Sequence, residues 1–140
     1  MCNKYIKTGW CVLKYEKILV AAHKEFPMPK AKGYMPILVG AQKNYKPGIS
    51  YQRDDEGKNI SEKNPNYNEL TAIYWAWKNL KDVDAVGLVH YRRLFFDKKP
   101  YNLENVINIE KVEQLLQKYD VLLPKKRNYY IETNYSHYIH

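Results

Sequence analysis

The chain has 140 residues, enough for one hydrophobic core and too few for a core plus a separate substrate domain. Its apolar share of 45% and charged share of 27% are those of an ordinary globular protein, while 14 Tyr and 3 Trp are many for this length. The net charge of +8, from 23 Lys and Arg against 15 Asp and Glu, points to an anionic partner only where the cations cluster.

Residues 1–16 read as a poorly specified lead-in, without the apolar stretch that a signal peptide needs. Cys2 and Cys11 have neither zinc spacing nor a disulfide framework around them, which fits a reducing, cytoplasmic setting. No apolar run approaches the ~18 residues of a membrane span, so the chain is expected to be soluble or attached at most to a membrane surface.

The first clear element is the apolar run Lys17 to Ala22, predicted to be a buried strand with His23 and Lys24 at its carboxyl end. A second strand is predicted over Met35 to Gly40, with Pro36 near its start, where a missing N–H is tolerated. Residues 41–63 are polar and turn-rich and read as a long loop, a length that is usually functional or mobile. A helix is predicted over 66–80, opened by an Asn66–Glu69 capping pair or by Asn64 before Pro65, with Leu70, Ile73, Tyr74, Trp77 and Leu80 forming its inward stripe. Then come a strand from Ala85 to Val89, a helix from Ile109 to Lys118 and a strand from Asp120 to Leu123. This alternation predicts an α/β sandwich with a mostly parallel sheet.

In such sheets ligands bind outside the carboxyl ends of the strands, so His90, Tyr91, Arg92 and Arg93 stand where a ligand is met. Paired guanidiniums favour phosphate or carboxylate, because the planar fork matches two oxygens and stays charged. Side chains alternate along an extended chain, so one arginine is expected to face the anion and the other to anchor the loop. His90 is open to three roles: general base, hydrogen-bond donor to a phosphate, or a satisfied histidine at a strand end. Asp82-Val83-Asp84 matches the DxD pattern of metal-dependent nucleotide-sugar enzymes, yet it precedes its strand and so belongs to the opposite edge. Asp54 and Asp55, in the long loop, are the better acidic pair: ligands for Mg²⁺ or Mn²⁺, contacts for a ribose or base, or a surface turn. P-loop, dinucleotide and nucleophile-elbow fingerprints are absent.

Five ordered blocks carry a resemblance to a known family: Ile18 to Lys24, Asp55 to Ser61, Lys63-Asn64-Pro65, Glu69 to Asn79, and Gly87 to Phe95. It continues through Tyr119 to Pro124 and Tyr130 to His137. Together they resemble the bacterial capsular and exopolysaccharide biosynthesis glycosyltransferases long catalogued as a domain of unknown function (DUF4422), over residues 17–140. The resemblance implies a GT-A-like, Rossmann-like fold and transfer of a sugar from a nucleoside diphosphate donor, with galactofuranose transfer in some members, to a glycan or lipid-linked glycan. Carried onto this chain, it implies that Ala22, His23 and Lys24 border the nucleoside and that Asp54 or Asp55 meets the ribose or a metal. It further implies that Lys63 and Asn64 enter from the helix start and that His90, Arg92 and Arg93 face the diphosphate. Either Mg²⁺ or Mn²⁺ assists, or the arginines take the metal's part. Family members are longer than this chain, which stops inside a block resembling the family's middle, so a truncated, donor-binding portion is expected, working in the cytoplasm or at the inner face of the membrane. The rival readings are a non-catalytic nucleotide- or anion-binding module and, less favoured, a single-stranded nucleic-acid binder, for which no recognition signature is present.

Overall fold

The structure, a computed structural model, describes residues 15–125. The N-terminal cysteines, most of the lead-in and the block from Tyr130 to His137 lie outside the described residues.

Four parallel strands form one sheet in the order β3-β2-β1-β4, with β1 spanning Glu16–Ala22, β2 Tyr34–Leu38, β3 Gln52–Arg53 and β4 Ala85–His90. β1 is central and pairs with β2 from Ile18↔Tyr34 to Ala22↔Leu38, and with β4 from Glu16↔Ala85 to Ala21↔His90. Its continuous apolar sequence follows from that position, since a central parallel strand is covered on both faces. One face packs Leu19, Ala21, Ile37 and Val39 against Ala72, Trp75 and Ala76. The other packs Ile18, Val20 and Ala22 against Val89, Tyr91 and Ile109. Full burial of residues such as Leu19 and Ile37 contributes ~1.5–3 kcal/mol each.

The predicted long loop is partly structured. It holds the short helix α1 (Ala41–Asn44), the two-residue strand β3 and a 3₁₀ turn (Ser61–Lys63), all too brief to leave a periodic signature. The helix predicted over 66–80 is two helices, α2 (Asn64–Tyr67) and α3 (Leu70–Asn79), broken at Asn68, whose φ is 48°. Pro65 lies in the first turn of α2, so the start at Asn64 is the one used.

The expected inward stripe is corrected as well. Leu70 is 57% exposed and Trp77 71% exposed, and Thr71, Ala72, Trp75 and Ala76 face inward instead. Small Ala72 and Ala76 let the helix approach the sheet closely, and the Trp75 indole donates to the Glu56 carbonyl at 2.9 Å. Ile73 and Leu80 do pack at the margin of this core, while Trp77 lies under the Lys78 ammonium. Helix α4 (Ile109–Leu116) covers the opposite face, and the Asn108 side chain caps it by accepting from the Lys111 N–H at 2.8 Å. Asp120 to Leu123 forms no strand: Val121 is 66% and Leu123 80% exposed, with no paired neighbour among the described residues. Apolar composition alone suggested that strand, and pairing is what makes one.

Candidate functional site

At His90 the β4 strand ends and the chain turns sharply. The Arg93 N–H donates to the His90 carbonyl at 2.8 Å, and the Tyr91 N–H donates to the Ala21 carbonyl of neighbouring β1 at 3.1 Å. Tyr91 is buried, with its ring 4.7 Å from Phe26 and 4.3 Å from His90 between centroids. That leaves Arg92 and Arg93 outside, both exposed and both lining one open pocket of about 310 Å³ with Glu69, Leu88, Val89 and His90. Where one arginine was expected to point away, both line the same pocket, because alternation holds in an extended strand and fails in a turn. The Arg92 guanidinium also stands 5.3 Å from the Tyr91 ring centroid, a cation–π contact that limits its freedom.

His90 has a defined tautomer. Its Nδ1 accepts from the Arg92 N–H at 3.2 Å, so in the neutral ring Nε2 carries the proton. Burial lowers the His90 pKa from its ordinary value and the Arg92, His23 and Arg93 charges lower it too, against the opposing pull of Glu69. The Nε2 atom lies 3.7 Å from Glu69 Oε1. Neutral His90 thus offers the pocket a donor, and Glu69 beside it offers an acceptor.

The other residues singled out in the sequence separate. His23 is exposed and joins the cluster through the edge of the Tyr91 ring, 5.6 Å between centroids. Ala22 has its side chain in the core, and its carbonyl accepts from the Val39 N–H at 2.9 Å. Lys24 and Lys63 are exposed outside the pocket lining. Asn64 is occupied with structure: its Nδ2 donates to the Asn68 carbonyl at 2.7 Å and holds the break between α2 and α3.

Asp54 is fully buried and accepts four hydrogen bonds: from the Gly40 N–H at 2.8 Å, the Ala41 N–H at 2.9 Å, and the Ser61 and Thr71 hydroxyls at 2.6 Å each. Its carboxylate ties the end of β2, the 3₁₀ turn and α3 together. Both oxygens are taken, which corrects its reading as a ribose or metal contact. Asp55 is clamped by Arg53, with Nε at 2.9 Å and Nη2 at 2.7 Å on its two oxygens, so its part is likewise in the loop. With their oxygens engaged in this way, Asp54 and Asp55 do not fit as the ligands implied for Mg²⁺ or Mn²⁺. Asp82 and Asp84 lie before β4, as their sequence position predicts, with the Asp84 N–H donating to the Tyr15 carbonyl at 2.8 Å.

Glu69 is the site residue that sequence reasoning missed. Its spacing from Asn66 read as half of a capping pair, yet its side chain caps nothing and α3 starts after it. The one signal for it was an acidic residue in a helix-opening position that the helix did not need.

A family model described as "Domain of unknown function (DUF4422)" matches residues 17–140. The chain belongs to this family. Among solved structures it is similar to the apo structure of the bifunctional glycosyltransferase WbbM, at 40% identity with a TM-score of 0.56 over 64% of this chain. The match covers 16% of the WbbM chain, so this chain corresponds to a small part of that protein. No curated protein matches. The parallel α/β architecture is GT-A-like, as the resemblance in the sequence implied. No described helix is long and apolar enough to cross a membrane.

Proposed function

We propose that this member of the DUF4422 family binds the donor of a glycosyl transfer, a nucleoside diphosphate sugar, at the carboxyl edge of its sheet. The observation that carries the reading is the pocket in which Arg92, Arg93 and the His90 Nε2–H converge where an α/β sheet presents its ligands. A diphosphate matches the arginine pair, since two guanidiniums fork onto phosphate oxygens, and the one donor of the neutral imidazole is left for another part of the ligand. In the transfer, the acceptor hydroxyl oxygen bonds to the anomeric carbon as that carbon's bond to the β-phosphate oxygen breaks; the electron pair of the broken bond stays on the phosphate oxygen, and the hydroxyl proton passes to water or to the departing diphosphate. The charge that builds on the departing diphosphate is what Arg92 and Arg93 are placed to stabilise. Likeness to WbbM supports the reaction class, and a pocket of this volume is within the range of small-molecule sites. A UDP-sugar, galactofuranose donors included, is the first to test. Its acceptor would be a glycan or lipid-linked glycan of capsule or exopolysaccharide synthesis, met at the inner face of the cytoplasmic membrane.

The tautomer of His90 favours a second reading, binding without turnover. With Nδ1 engaged and Nε2 protonated, neutral His90 donates a hydrogen bond and does not take a proton, so the imidazole is not poised as the base of the transfer.

Thermal-shift titration separates the options. Saturable stabilisation by UDP, with none from a single-stranded oligonucleotide, is the expected result, and the reverse sinks the donor-site reading. Sugar release from UDP-galactose, measured with and without EDTA, then tests turnover and metal dependence. Undiminished release in EDTA supports arginines in the metal's part, whereas complete loss on chelation rejects it.

A further inference from the structure

We propose that Glu69 and His90 together read a hydroxyl group of the donor's sugar, making Glu69 a specificity-determining residue of the pocket. This rests on the donor-site reading above.

Three observations converge on it. First, the Glu69 carboxylate is spared from structural duty: at the N-terminus of α3 it makes no capping hydrogen bond, and the first turn is served by its backbone carbonyl, which accepts from the Ala72 N–H at 3.1 Å. Second, the backbone is held in an unfavourable conformation immediately before it. Asn68 has φ 48° and ψ −128°, a region that L side chains rarely occupy, and its carbonyl accepts from the Asn64 amide at 2.7 Å and the Thr71 N–H at 3.3 Å. The effect is to end α2, restart the chain as α3 and bring Glu69 to the end of β4.

Third, the pair is matched and spaced for a bridging group. His90 Nε2–H is a donor, Glu69 Oε1 is an acceptor, and 3.7 Å between them is too long for a direct hydrogen bond. A hydroxyl satisfies both at once, accepting from His90 and donating to Glu69. A phosphate oxygen cannot, because it has no proton to give the carboxylate and is repelled by it. The pocket is therefore divided by charge, with Arg92 and Arg93 for the diphosphate and Glu69 for a neutral, hydroxylated part of the ligand. In the proposed donor that part is the sugar, joined directly to the diphosphate.

The test is calorimetric titration of the whole chain with UDP and with UDP-galactose. Glu69→Ala should weaken UDP-galactose about tenfold while leaving UDP unchanged or slightly tighter, because a repelling carboxylate has gone. Glu69→Gln, which keeps an acceptor oxygen, should restore part of the loss, and His90→Phe should weaken UDP-galactose while leaving UDP close to unchanged. A parallel loss of both ligands in Glu69→Ala would put the carboxylate at the ribose or in the scaffold and overturn the assignment, as would no loss of UDP-galactose. If the wild-type chain binds neither ligand, the donor-site reading itself falls and takes this inference with it.

Discussion

The two ends of the sheet carry opposite chemistry. At the carboxyl edge His23, His90, Arg92 and Arg93 gather around one acidic residue, Glu69. At the amino edge Glu16, Asp84 and Glu113 crowd together, with Lys17 and Lys32 nearby. Because all four strands run the same way, the two edges are never interchangeable: one delivers side chains to a crevice, and the other closes the fold. A motif such as Asp82-Val83-Asp84 takes its meaning from the end at which it falls, and here it falls at the closing end.

The largest expected effect is beneath the cationic edge, at Asp54. Asp54→Ala leaves two N–H groups and two hydroxyls without their buried acceptor and should cost about 3–5 kcal/mol of folding stability, read as a lower urea midpoint. Stability close to wild type, with ligand binding lost, would return Asp54 to the ligand site and make the carboxyl edge less cationic than drawn.

Next in size is the comparison itself. Arg92→Ala and Arg93→Ala should each weaken UDP about tenfold or more, the loss of a charge-assisted hydrogen bond to phosphate worth about 1.5–3 kcal/mol. Asp84→Asn, at the other edge, should leave UDP affinity unchanged. An Asp84 variant that abolishes binding, beside neutral arginine variants, would reverse the two ends.

How much of this was legible in the sequence differs by element. Strands β1 and β4 were readable because each is an unbroken apolar run, which burial on both faces requires of the central β1, and their carboxyl ends therefore named His23, His90 and the arginines. The inward face of α3 was not, because the scale of apolar residues ranks Leu70 and Trp77 above Ala72 and Thr71. Contact with a sheet instead rewards small side chains that allow close approach, and Thr71 is buried because Asp54 needs its hydroxyl. Asp54 illustrates the same limit from the other side. An acidic pair in a polar loop gives no sign that one member is wholly buried under four donors while its neighbour is held by Arg53. Glu69 was hidden by the break at Asn68, since a positive φ at a non-glycine residue has no signature in composition.

The amino edge supplies the next effect. Burial, and then Glu113, raise the Glu16 pKa from 4.5 to about 7, and one of its oxygens is buried without a hydrogen-bond partner. The folded state therefore favours the protonated carboxyl. That contribution is fully present below about pH 4.5 and is lost as pH rises through about 7. Glu16→Gln mimics the protonated form, so relative to wild type it should gain on the order of 1–2 kcal/mol of stability between pH 5 and pH 8. Equal differences in urea midpoint at the two pH values would show that the acidic cluster is solvated and that the contrast between the edges is one of sequence alone.

The smallest effect sharpens the contrast most closely to the pocket. At φ 48° and ψ −128°, Asn68 sits where glycine has no Cβ to clash, so Asn68→Gly should relieve strain and stabilise the fold by about 0.5–1 kcal/mol. The asparagine's own contribution to the break comes through its backbone carbonyl, which glycine retains. If the break exists to place Glu69, the same substitution should leave the preference for UDP-galactose over UDP intact or slightly reduced by the looser backbone. Asn68→Ala should act in the other direction, losing stability because it cannot hold the positive φ and losing that preference as α2 and α3 shift. A stable Asn68→Ala chain with unchanged sugar preference would show that Glu69 reaches the pocket without the break, leaving the strained residue with no part in the carboxyl edge.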